Sequence, residues 1–221
     1  MSKKVGVVLS GCGFLDGAEI HEATLTLLAL DRAGVQTVAM APSVPQMHVV
    51  DHTKSAPAEG DARDVLAESS RIARGDIVEL NTVNADDLDA LILPGGFGVA
   101  KNLSTFAVEG TGMTVNNELT ELIRTMNGAK KPMGFICIAP AVAAKVLGER
   151  KPKLTIGNDA DTANALEELG AHHVDCAVDD TVIDENLRIV STPAYMVGPS
   201  IAHVAKGIDK LVNEVLEMTE A

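Results

Sequence analysis

Uninterrupted apolar runs, each long enough for one strand only, alternate along this chain with segments patterned as amphipathic helices. Residues 4–10, 35–41 and 88–93 are such runs, and a fourth leads into Cys137. A strand with one face in water alternates apolar and polar residues, whereas a run without alternation is covered on both faces. Between the runs, Ile20, Ala23, Leu27 and Leu30 share one face of a helix expected over 18–32, which Gly34 stops. Val115, Leu119, Leu122, Ile123 and Met126 form a stripe within 114–126. Ile201, Val204, Ile208, Leu211 and Val215 form an inward stripe within 200–217. The order predicts an α/β fold: a doubly wound, mostly parallel sheet, flavodoxin-like in outline, with helices on both faces.

The remaining segments fit one domain over residues 1–221. Residues 43–61, with Pro45, Pro57 and Gly60, read as a surface excursion. A helix is expected over 62–74, ending at Gly75, and a strand over 154–156. Asp161 is expected to cap a helix that stops at Gly170, and His172-His173 reads as a solvated loop. In the C-terminal half, 182–184 and 187–190 flank Glu185-Asn186 and predict a hairpin.

Charge and composition exclude several function classes. A formal net charge of −13 argues against nucleic acid and anionic membranes as partners. With 2% aromatics, no Trp and one Tyr, there is little on which bases could stack. The three cysteines, Cys12, Cys137 and Cys176, are too few and too far apart for a disulfide framework. They suit a reducing, cytoplasm-like compartment. No apolar run approaches a membrane span, and the N-terminal run reads as a strand rather than a signal segment. A removed transit peptide would leave no trace here. No metal is expected: His21-Glu22 lacks the second histidine of a zinc helix, and no Cys-x-x-Cys occurs. No cofactor is expected either. Gly11, Gly13 and Gly17 miss the dinucleotide spacing by one residue, and the second strand ends without an acidic residue for a ribose.

Sites in parallel sheets form at the carboxyl ends of strands. Three turns fall there: residues 10–13, 95–98, and Cys137. Cys137 closes an apolar run, and Pro140 fits the first turn of a helix that starts at once. Such an elbow would expose the sulfur beside free N–H groups and favour the thiolate. The alternative is an inert buried cysteine, which behaves as a small hydrophobe. The strand-turn-helix setting favours the nucleophile. The N–H groups of the Gly95-Gly96 turn, with that of Ile138, could form an oxyanion hole, or the turn could be an ordinary one. Glu19 and Glu22 lie three apart near the start of the first helix. There they could complement its dipole or, if buried beside a thiolate, move protons.

These residues resemble the isoprenoid-biosynthesis glyoxalase, or enhancing-lycopene-biosynthesis, group. That group lies in the superfamily of the parkinsonism-associated deglycase and the intracellular cysteine proteases, a branch of the class I glutamine amidotransferase-like fold. The resemblance rests on Ser10-Gly-Cys-Gly, Asp16-Gly-Ala-Glu-Ile-His-Glu22, Leu93-Pro-Gly-Gly-Phe-Gly-Val-Ala-Lys-Asn-Leu-Ser104, Gly134-Phe-Ile-Cys-Ile-Ala-Pro-Ala141, Leu154-Thr-Ile-Gly and Thr192-Pro-Ala-Tyr-Met196. It implies Cys137 as nucleophile, Glu22 as its carboxyl partner, and Gly96 and Ile138 as oxyanion donors. It implies a cofactor-free, glyoxalase III-like lyase that converts the small aldehyde glyoxal to glycolate, or a related deglycase, and a homodimer. Family histidines stand directly after the cysteine, here Ile138, or at the end of the next strand, here Gly157 or Asn158. Their absence argues against peptidase and glutaminase chemistry here, and His21 and Glu19 stand as accessory candidates. A thiol redox sensor or a non-catalytic binding protein on the same fold would use the same residues.

Overall fold

The computed structural model describes residues 3–220. In chain order the elements are β1 (Lys4–Val8), α1 (Ile20–Arg32), β2 (Gln36–Ala41), β3 (Val50–Asp51), β4 (Ala56–Pro57), α2 (Val65–Ile72), β5 (Val78–Glu79) and β6 (Ala90–Leu93). They continue with α3 (Phe97–Lys101), α4 (Phe106–Glu109), α5 (Asn117–Gly128), β7 (Met133–Ile136), α6 (Pro140–Leu147) and β8 (Lys153–Leu154). The last are α7 (Ala160–Glu168), β9 (His172–His173), β10 (Val182–Asp184), β11 (Ile189–Thr192) and α8 (Ile201–Met218). The main sheet runs β10-β11-β7-β6-β1-β2-β5, parallel except for the β10–β11 hairpin. This is the doubly wound α/β architecture, with the expected hairpin at one edge.

Strand alternation sorts the apolar runs into two core layers. Val5, Val7, Ala90, Ile92, Ile136 and Val190 point to the face covered by α1 and α8, where they meet Ala23, Leu30, Val204, Ile208 and Leu211. Val8, Leu91, Leu93, Met133, Phe135 and Ile189 point to the face covered by α5 and α6, where they meet Leu119, Ile123, Met126 and Val142. The alanines of α6 are fully or almost fully buried, so this helix lies close on the sheet. No helix among the described residues is long and apolar enough to cross a membrane.

Several local expectations need correction. Helix α1 begins at Ile20 rather than 18, because the Glu19 side chain caps it. Ile20 is exposed, and the buried face at that end of α1 is completed by Glu22 instead. Ile201 is exposed too, being the first residue of α8 and beyond the sheet edge of its stripe. Helix α2 starts after Asp64, whose side chain caps it, and not at 62. Asp159, not Asp161, caps α7 by accepting the Thr162 N–H. Of residues 154–156 only Leu154 is paired, and its partner is His173 in a separate two-stranded sheet. The His172-His173 loop is therefore a strand, short enough to escape any periodicity signal.

Beta1 sits between β2 and β6, so successive connections leave it in opposite directions. That reversal opens a crevice at the carboxyl ends of the strands. The loops entering it are locked together by main chain: Gly98 N–H donates to the Gly17 carbonyl at 2.9 Å and Phe97 N–H to that of Phe14 at 2.8 Å. The approach leaves no room for a side chain at Gly98. A Cβ there would lie 2.5 Å from the Ser10 carbonyl oxygen and 2.6 Å from the Gly17 carbonyl carbon. Backbone cannot retreat as a side chain can, so Gly98→Ala should lower unfolding stability by about 2 kcal/mol or more. Urea denaturation of the variant checks this; an unchanged midpoint would refute the close packing.

Candidate active site

Cys137 follows β7 directly and takes φ +62°, a left-handed conformation that costs a non-glycine residue about 1–3 kcal/mol. The bend is held from both sides. Cys137 N–H donates to the Thr192 carbonyl of β11 at 2.9 Å, and Ala139 N–H folds back on the Ile136 carbonyl at 3.0 Å. Pro140 then opens α6, where its missing N–H costs nothing. The sulfur therefore stands at the strand's carboxyl end, where the Gly96 and Ile138 N–H groups are near enough to favour its anionic form.

Glu22 is fully buried one turn into α1. Its Oε2 accepts the Gly95 N–H at 2.9 Å and its Oε1 accepts the Tyr195 N–H at 3.2 Å. The carboxyl and the Cys137 thiol are near enough to shift each other's acidity. Gly95 lies between the two: a Cβ on it would be 2.5 Å from Cys137 Cβ and 2.7 Å from Glu22 Oε2. The three loops thus converge as the sheet topology allows. Gly96, at φ +100°, packs on the backbone of Gly17 and Ala18, and Gly95 carbonyl accepts the Glu19 N–H at 2.9 Å.

The electrostatics correct two expectations. Cys137 is only 7% exposed, so the elbow presents its sulfur to a cavity rather than to bulk water. Burial pushes the thiol well above its ordinary value, and the neighbouring Glu22 charge pushes it further. The resting form is thiol, not thiolate. The Gly96 and Ile138 N–H groups oppose that rise without cancelling it. Burial also pushes Glu22 up to about 8, with Glu19 adding like-charge repulsion against the lowering effect of its hydrogen bonds. The Gly95 N–H is spent on Glu22, so of the glycine turn only Gly96 faces the sulfur.

Glu19 and His21 also line the cavity that Cys137 opens into. Glu19 accepts the Glu22 N–H at 2.7 Å, which makes it the helix cap. His21 is exposed, and its Nδ1 lies 2.8 Å from the Tyr195 hydroxyl. Of Gly157 and Asn158, where the resemblance looked for a histidine, Gly157 takes φ +97°, and a Cβ there would sit 2.6 Å from Val197 Cγ1, while Asn158 is exposed. Sequence reasoning gave no role to Tyr195, whose backbone holds Glu22, or to Phe14, Phe97 and Phe106, which line the cavity. The chain's single Tyr, inside a recognised stretch, was the available signal. Among the described residues no group of three or more His, Cys, Asp or Glu could hold a metal ion.

The fold is that of a DJ-1 superfamily protein from Agrobacterium tumefaciens, whose crystal structure superposes with a TM-score of 0.58 at 16% identity, covering 97% of this chain and 88% of that one. A crystal structure of an isoprenoid biosynthesis protein with an amidotransferase-like domain from Ehrlichia chaffeensis superposes with a TM-score of 0.91 at 36% identity, covering 98% of this chain and 99% of that one. The chain is 47% identical to the rat "ES1 protein homolog, mitochondrial" over 98% of its own length and 84% of the relative's. It is also 47% identical to the human "Glutamine amidotransferase-like class 1 domain-containing protein 3, mitochondrial", over 98% of this chain and 83% of that one. It belongs to this ES1, glutamine amidotransferase-like class 1 family. No family model matches the chain.

The raised Glu22 pKa carries a stability consequence. The folded protein keeps this proton up to about 8, while an unfolded chain loses it near the ordinary 4.5. The folded state binds the extra proton between these values, so stability is fullest below about 4.5 and falls as pH rises through 8. Melting curves should show a falling midpoint from about pH 5 to 8, and Glu22→Gln should flatten the slope over that range. An equal slope in the variant would show that Glu22 titrates normally.

Proposed function

We propose that Cys137 and Glu22 perform cofactor-free addition and proton-transfer chemistry on an α-oxoaldehyde, with glyoxal converted to glycolate as the simplest case. The observation that supports this is the buried thiol–carboxyl pair, adjoining across Gly95 and opening to a cavity through the sulfur alone. Like charges this close cannot both ionise, so removing one proton leaves a single proton for two acids. In the reactive form it sits on Glu22 and the sulfur is anionic.

The sulfur attacks the aldehyde carbon and forms the C–S bond, and the carbonyl electron pair becomes an oxyanion beside the Gly96 and Ile138 N–H groups. Glu22 hands its proton to that oxygen, giving a hemithioacetal. The resulting carboxylate takes the proton from the same carbon, and an enediolate forms. After the hydroxyl proton moves between its two oxygens, Glu22 returns the carbon-derived proton to the adjacent carbon, leaving a thioester. Water, losing a proton to Glu22, then displaces the sulfur. The sum is addition of one water to the oxoaldehyde, with no net oxidation.

A second reading, Cys137 as a peroxide sensor, is weakened by the same geometry, because a buried protonated thiol oxidises slowly. The rat and human relatives are named as mitochondrial, and the reducing compartment expected from the cysteines fits the interior of that organelle as well as a cytosol.

Cys137→Ser should abolish glycolate formation from glyoxal, and Glu22→Gln should lower it by about a hundredfold or more. In the unaltered protein kcat/KM should rise as pH passes through about 8, where the pair loses its first proton, and fall when the second is lost. Unchanged turnover in Cys137→Ser, with intact folding by circular dichroism, would refute the mechanism.

A further inference from the structure

Aromatic residues are scarce in this chain, yet four of its five, Phe14, Phe97, Phe106 and Tyr195, line the single cavity onto which Cys137 opens. The fifth, Phe135, is fully buried in the core. Phe14 and Phe97 are 47% and 49% exposed, although the core on either side of the sheet was available to any phenylalanine. Exposed aromatics gathered around a concavity mark a surface that is covered in use. The cavity measures about 720 Å³ and its other walls include Ala100, Ala107, Ile138 and Met196. Glyoxal, with two carbons and two oxygens, would touch the sulfur and leave those walls in water. A volume of this order is that of a site for a substrate with a sizeable body.

Charge narrows the class. Among the described residues no Lys or Arg lines the cavity, while Glu19 does, and Glu22 adjoins Cys137 across Gly95. The ammonium group of Lys101 is 5.2 Å from the Phe97 ring centre, but it donates to the Leu15 carbonyl at 2.8 Å and so is tied behind that ring. An anionic body would enter against Glu19 and the chain's net charge of −13, with no cation among the lining residues to receive it. The other polar side chains of the lining are Thr162, whose Oγ1 donates to Asp159 Oδ1 at 2.6 Å, and the hydrogen-bonded His21–Tyr195 pair, none of which supplies a fixed charge.

We infer that the substrate of Cys137 is an uncharged oxoaldehyde carrying an aryl or branched-alkyl body, which Phe14, Phe97 and Phe106 receive while the aldehyde meets the sulfur. The inference rests on the reading of Cys137 as the attacking atom, and it makes the three phenylalanines the residues that set specificity. The chemical steps and their balance are those given above, with the apolar body attached at the second carbon.

Two measurements test this and separate it from the catalytic reading. In the first, kcat/KM should be at least about tenfold higher for phenylglyoxal than for glyoxal, and lower again for 4-carboxyphenylglyoxal. Phe97→Ala and, separately, Phe14→Ala should each shrink the phenylglyoxal-to-glyoxal ratio; both side chains are half-exposed, so folding should survive. In the second, calorimetric titration of the Cys137→Ser protein should show phenylacetamide binding at least about tenfold tighter than phenylacetate, and Phe97→Ala should weaken it. If no oxoaldehyde turns over but phenylacetamide binds in this way, the catalytic reading fails and the ligand class stands. If glyoxal turns over as well as phenylglyoxal and phenylacetamide does not bind, the ligand class is overturned and the catalysis stands. Tighter binding of phenylacetate would also overturn it.

Discussion

The site is organised around one buried carboxyl that the fold can tolerate only with a proton or with donors aimed at it. Glu22 has no exposure, and an isolated carboxylate in such a place would cost several kcal/mol. The Gly95 and Tyr195 N–H groups reach it from two other segments of the chain, after β6 and after β11. Those segments must therefore be in register with α1 before the carboxyl is satisfied. The same register brings Cys137 against Glu22, because Gly95 leaves no side chain between them. Burial, proton retention and the thiol contact are consequences of one packing arrangement.

Strain at Cys137 fits into this arrangement rather than standing apart from it. A left-handed cysteine is unfavourable alone, but here its N–H is fixed by the Thr192 carbonyl and its neighbours begin α6. Beta7 is flanked by β6 and β11, so the elbow cannot relax sideways without breaking a ladder. At the elbow Cys137 borders the core layer under α1 and α8 on one side and meets the glycine turn of Gly95 and Gly96 on the other.

Much of this was legible because a parallel sheet writes itself as apolar runs between amphipathic helices, and because such sheets place sites at strand ends. The runs at β1, β2, β6 and β7, the α8 stripe from Val204 to Val215 and the β10–β11 hairpin follow from periodicity. Periodicity fails where an element is two residues long, as in β8 and β9, or where a helix's end projects past the sheet, as at Ile20 and Ile201. It also cannot distinguish Glu19 from Glu22. Both lie near the start of α1, and one caps the helix while the other is interred, a difference set by the glycine turn after β6. The thiol's protonation was misread for a related reason. The elbow and its N–H groups are local and readable, whereas the desolvation that outweighs them comes from the whole packed crevice.

Of the two strand-end positions where the resemblance places a histidine, Gly157 has a positive φ with Val197 against it, and Asn158 is exposed. His21 is on the rim, engaged with Tyr195, and its exposure keeps it in contact with water rather than with the thiol. Proton movement at the sulfur therefore falls to Glu22, whose raised pKa suits both giving and taking a proton near neutrality. A single relay cannot ionise the thiol and at the same time hold a second negative charge. In the reaction proposed for Cys137 and Glu22, chemistry is thus confined to electrophiles that accept the sulfur and the proton in succession, as a carbonyl does. That restriction and the aromatic walls of the cavity point the proposal to the same kind of molecule, a neutral carbonyl compound.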